Sequence, residues 1–259
     1  MSQDYFSREK PPEFVDLSAG EVFKFHCGPD NPCFNRCCRD LLLPLAPYDV
    51  LRLRRSLGIS GKELLTAFAK SQLIPETGLQ LPVVRMLESP DRECPFLSPA
   101  GCSVYEDRPS ACRLYPLGRA ASVGPEGAKE RFLIAAGEFC QGWNNGEEYD
   151  AQNWMDSQEM GKYNYFNDRY MSLLSMIAAG EEPLPANQAA FCFLCLYQPE
   201  EFRALIEKMN VFSRVSIDEK KRALIMDETV AGDEACLDFA FDWLDLTIFG
   251  LSANLSPIR

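Results

Sequence analysis

The stretch HCGPDNPCFNRCCRD, residues 26–40, carries Cys27, Cys33, Cys37 and Cys38, with Cys37 and Cys38 adjacent. In extended or turn backbone neighbouring side chains point different ways. Two consecutive cysteines therefore suit two separate sites, or one site and the core, better than a single chelate ring.

Further along, Cys94-x7-Cys102-x9-Cys112 and then Cys140 bring the thiols ahead of residue 145 to eight. Eight can furnish two four-thiolate sites. Thiolate sulfur is a soft ligand suited to zinc, to copper in its lower oxidation state and to iron-sulfur clusters, and four thiolates leave a centre closed rather than catalytically open. Arg36, Arg39, Arg108 and Arg113 each lie within four residues of a cysteine. Four thiolates around a dication leave a net charge of about −2, so these guanidinium groups are expected to bind at the cofactor, lowering thiol pKa and donating hydrogen bonds to sulfur.

The chain has 259 residues, 46% hydrophobic and 25% charged, which predicts one domain with an appendage and disorder confined to about the first 15 residues. Residues 20–145 read as the cysteine-cluster metal-binding domain and 146–259 as an acidic, mainly helical region packed on it. Residues 1–145 hold 17 Lys+Arg against 18 Asp+Glu, and 146–259 hold 9 against 20. A total of −12 with no basic stripe argues against nucleic-acid binding. Met1–Lys10 lacks a secretory apolar stretch and no long apolar run follows, so the expectation is a cytoplasmic protein without membrane contact. In that reducing compartment eleven cysteines argue for metal rather than disulfides.

The expected fold class is α+β: a loop-rich cysteine-cluster part with short strands and a helical pair, then the helical region. Pro47 opens a helix over Tyr48–Leu57, and Ser60 with Glu63 forms a capping box for the next. Leu79–Leu87, Arg131–Ala136 and Ser103–Tyr105 read as strands. Met160, Tyr163, Tyr170, Leu173 and Ile177 keep helical spacing, Pro199 starts another helix, and Ser216 with Glu219 suggests a second capping box. The last long segment should be a buried helix around Cys236, Phe239 and Trp243, leaving Asp238, Asp242 and Asp245 for solvent.

Two stretches, CFNRCCRDLLLPLAPYDVLRLRRSLGIS from Cys33 and CPFLSPAGCSVYEDRPSACRLYPLG from Cys94, resemble the YkgJ family of cysteine-cluster proteins, described by a CxxCxxCC signature and as zinc- or iron-chelating. The family's RPxxCR element falls on Arg108, Pro109, Cys112 and Arg113, and FCQGW around Cys140 is similar to the stretch bearing its last cysteine. The x5 interval between Cys27 and Cys33 departs from the signature. The resemblance implies metal chelation without a defined reaction. A relative with defined chemistry, the flagellin lysine N-methylase, gives the alternative of a metal-dependent enzyme acting on a protein substrate; a metal-stapled module for a protein partner is a third reading.

None of the eight N-terminal cysteines forms the paired CxxC knuckle usual in zinc ribbons, so a 4Fe-4S iron-sulfur cluster is preferred to zinc. Cys192-x2-Cys195 sits in the apolar run Phe191–Tyr197; if that run is a strand, the two thiols face opposite sides and belong to the core. Cys236 is assigned to the core as well. His26, the single histidine, is expected beside the site more than in it.

Overall fold

The computed structural model describes residues 13–258 except 19, 125, 126, 137 and 138; most of the N-terminal stretch expected to be disordered lies outside them. In chain order the first strands are β1 (Glu13–Leu17) and β2 (Phe23–Phe25). The cysteine loop follows and leads into α1 (Pro47–Leu57), where proline presets helical φ at a position whose N–H has no intrahelical acceptor. In α2 (Gly61–Phe68) the expected capping box is present: the Glu63 N–H donates to Ser60 Oγ at 3.2 Å and the Ser60 N–H to Glu63 Oε2 at 2.8 Å.

A hairpin of β3 (Ala69–Leu73) and β4 (Gln80–Val84) leads to a smaller one, β5 (Leu97–Ser98) with β6 (Gly101–Cys102). The strand expected over Ser103–Tyr105 thus falls two residues earlier, and Tyr105–Asp107 forms a 3-10 turn instead. After α3 (Ser110–Leu114) come β7 (Leu117–Gly124) and β8 (Gly127–Ala136), which make an antiparallel sheet of order β1-β8-β7. The short strand β9 (Glu147–Tyr149) returns to pair with β2.

The remainder is helical: α4 (Ala151–Ser157), α5 (Gly161–Ala178), α6 (Ala186–Tyr197), α7 (Pro199–Lys208), then β10 (Val215–Ser216), α8 (Glu219–Met226), α9 (Val230–Phe249) and β11 (Ser256–Pro257) paired with β10. The protein is mixed α+β with a helical C-terminal part. Two expectations need correction. Asp218, not Ser216, caps α8, its carboxylate accepting from the Lys221 N–H at 2.9 Å. Phe191–Tyr197 is helical, so Cys192 and Cys195, one turn apart, share a face of α6 instead of opposing each other.

A contiguous apolar core runs through both parts. Tyr48 of α1 stacks on Phe166 of α5 at 4.7 Å between ring centres and meets Tyr163 edge-on at 4.9 Å. The Tyr197 hydroxyl donates to the carbonyl of Leu45 at 3.3 Å, joining α6 to the chain just before α1. Asp233, fully buried near the start of α9, draws in Arg54 and Arg55 of α1 and Arg203 of α7. Cys192, Cys195 and Cys236 are all buried, and burial pushes the Cys192 and Cys236 thiols up to about 12. The aspartates of α9 are not simply a solvent face: Asp242 is buried, and Arg169 of α5 bonds Asp238 at 2.7 Å and Asp242 at 2.8 Å. No helix among the described residues is long and apolar enough to cross a membrane.

Candidate metal centre

The cysteine loop is folded by turns rather than by a sheet. Phe25 bridges Trp143, and the His26 N–H donates to the Gly142 carbonyl at 3.0 Å, which lays the start of the loop along the Cys140 segment. Glycine is required at 142, where a Cβ would lie 2.4 Å from the His26 carbonyl oxygen. The chain then coils through Asn31, whose side chain donates to the His26 carbonyl at 2.8 Å, into a 3-10 turn over Arg36–Cys38.

Two contacts draw the distant cysteines to this turn. The Cys94 N–H donates to the Cys38 carbonyl at 2.8 Å, beside a bridge between Arg39 and Glu93. On the other side the Gln141 N–H donates to Cys33 Sγ at 3.2 Å, placing Cys140 next to Cys33. Cys102 sits opposite Leu97 in the β5–β6 hairpin. Cys112 rides on α3, whose first N–H, from Ser110, is held by the buried carboxylate of Asp49 at 2.7 Å.

Burial and mutual repulsion act on the thiols together. Cys27 is exposed at one surface, yet enough protein surrounds it that desolvation, followed by Cys37, Cys140, Cys33 and Asp30, pushes it up to about 11. Burial is the first cause raising Cys94, Cys102 and Cys112, and each also feels Cys37. Cys37 itself is raised, chiefly by a hydrogen bond with Cys38. Cys37 thus acts on Cys27 on one side and on Cys94, Cys102 and Cys112 on the other, while Cys33 and Cys140 also act on Cys27. The sulfurs are gathered but not closed: among the described residues no three His, Cys, Asp or Glu side chains take up the arrangement of a formed metal site.

The four arginines divide. Arg108 lies near enough for its charge to lower Cys102, and it spends its donors on the Tyr105 carbonyl at 2.6 Å and Gln158 Oε1 at 2.7 Å. Arg39 pairs with Glu93 at 3.0 Å, clamping the Cys38–Cys94 junction. Arg113 bonds the carbonyls of Gln158 and Glu106, and Arg36 is exposed. The ring of His26 turns to Asp30, Nε2 lying 3.0 Å from Oδ1.

Sequence reasoning passed over two side chains. The Tyr115 hydroxyl and Trp143 Nε1 are shielded from solvent with no hydrogen-bond partner. Both sit three residues after a cysteine, Cys112 and Cys140, and both rings pack on Phe25. That spacing was the available signal. Tyr115 lies beside Cys140, and burial followed by that thiol raises its phenol, which stays protonated. All-sulfur donors with unfilled N–H and O–H groups close by fit a soft metal centre carrying negative charge.

These features define the class as a cysteine-cluster domain. Residues 26–141 match the family described as "CxxCxxCC: Putative zinc- or iron-chelating domain". No curated protein and no solved structure matches the chain.

Proposed function

We propose that the protein is an intracellular, cytoplasmic metal-binding protein whose thiolates hold an iron-sulfur cluster, of the 4Fe-4S type, in preference to zinc. The observation that carries this reading is that hydrogen bonds draw sequence-distant cysteine segments together, the Cys94 N–H donating to the Cys38 carbonyl at 2.8 Å and the Gln141 N–H, beside Cys140, to Cys33 Sγ at 3.2 Å. Packing alone does not call for so many free thiols in a loop-rich region. The holding residues are Cys27, Cys33, Cys37, Cys38, Cys94, Cys102, Cys112 and Cys140, and adjacent Cys37 and Cys38 suit a division between two sites.

When bound, such a centre supplies a closed structural or electron-transfer site, since four thiolates leave no position for substrate. Arg108 offsets part of its negative charge, and Arg39 fixes the two strands of chain that meet at Cys38 and Cys94. The preference for iron-sulfur rests on the absence of paired CxxC knuckles among these eight cysteines. Purification without oxygen, elemental analysis and a visible spectrum test it. Iron with matching sulfide is the expected result; zinc alone would overturn the cluster assignment, and a chain with neither would overturn metal binding.

A further inference from the structure

Tyr115 ends α3 and leans on Phe25, with ring centres 6.1 Å apart, so it stands between the helix bearing Cys112 and the segment bearing Cys140. Its hydroxyl is shielded from water and lacks a hydrogen bond of normal geometry, although the Cys140 sulfur is its neighbour. Buried hydroxyls are nearly always paired, so a solitary one beside a potential acceptor asks for an explanation. A neutral thiol is a weak acceptor and a thiolate a strong one. The missing partner is thus supplied when Cys140 ionises on a metal.

We propose that Tyr115 is a positioning residue of the metal centre, its hydroxyl donating a hydrogen bond to the Cys140 thiolate. The inference rests on the thiolate reading of the site and adds to it a donor outside the cysteine set. Hydrogen bonding stabilises the sulfur lone pairs, which tightens retention of the metal and raises the energy of sulfur-to-metal charge transfer. Because the ring packs on Phe25 through its face and edge, removal of the oxygen alone leaves that packing in place.

The test is titration of the reduced, metal-stripped full chain with Co²⁺, followed by competition with Zn²⁺, for the wild type, Tyr115→Phe and Tyr170→Phe. Tyr170 is a suitable control because its hydroxyl meets that of Tyr197 at 3.2 Å, away from these cysteines. Tyr115→Phe should keep the metal-free melting temperature, lose about tenfold or more in affinity and shift the thiolate-to-cobalt band to longer wavelength. Tyr170→Phe should change neither affinity nor band. Equal affinity and an unmoved band in Tyr115→Phe would overturn this role while leaving the metal site intact. A wild-type chain that takes up neither these ions nor, without oxygen, iron with sulfide would instead overturn the reading beneath it, so the two failures are separable.

Discussion

Asp49 shows how much one buried side chain can control. Its carboxylate accepts from the Ala46 N–H at 2.9 Å and the Ser110 N–H at 2.7 Å, tying the start of α1 to the start of α3 and hence to Cys112. Burial nevertheless outweighs these bonds and pushes Asp49 up to about 6. A carboxyl whose folded pKa lies above its unfolded value of ~3.9 contributes stability fully present below that value and lost as pH rises through the folded one. Between about pH 4 and pH 6–7 the wild type should therefore lose up to ~3 kcal/mol from this group. Urea unfolding of metal-free protein across that range should show the loss, and Asp49→Asn should flatten it. A slope identical in the two proteins would remove Asp49 as its source. Nothing in the sequence marked this aspartate, because its burial depends on α3 arriving from about sixty residues further on.

At the level of elements, signals local to the chain were readable and those set by partners were not. Pro47, Pro199 and the Ser60–Glu63 pair marked helix starts because each acts on backbone groups within one turn. The β7–β8 sheet was legible only at Arg131–Ala136, since an edge strand such as β7 owes its form to the strand beside it. Phe191–Tyr197 misled because an unbroken apolar run has no period by which a buried helix differs from a buried strand. The eight candidate thiols were legible through spacing and resemblance, whereas Tyr115 and Trp143 carry no metal-binding chemistry of their own and are recognised by unfilled hydrogen bonds. The Asp233 cluster, also unforeseen, joins α1, α7 and α9. Replacing Asp233 with Ala leaves Arg54, Arg55 and Arg203 around an empty centre, and breaking a buried pair in this way costs about 3–5 kcal/mol. Denaturant titration of Asp233→Ala should reveal a loss of that size; a change under ~0.5 kcal/mol would fit only a surface position.

For the whole molecule the decisive property is that the cysteine part and the helical part share apolar core. A structural thiolate site contributes on the order of 10 kcal/mol, as much as a domain's entire stability. Chelation, or Cys112→Ser, should therefore destabilise residues 25–145 and the helices packed against them, giving a lower melting temperature alongside lost metal. Full metal content with an unchanged melting temperature in Cys112→Ser would exclude Cys112 as a ligand. The Tyr48 hydroxyl, donating to Glu234 at 2.8 Å, shows how far apart in the chain the mutually dependent pieces lie.

That same link has a bearing on how the chain is made. A ribosome adds roughly 5–20 residues per second, so the start of α9 emerges on the order of ten seconds after Cys112. Throughout that interval the sulfurs wait without the helix that braces α1, open to oxidants and to whichever ion arrives first. Chains halted before Val230 should accordingly exchange their metal faster than released ones, a difference that pulse labelling with radioactive zinc or iron would record.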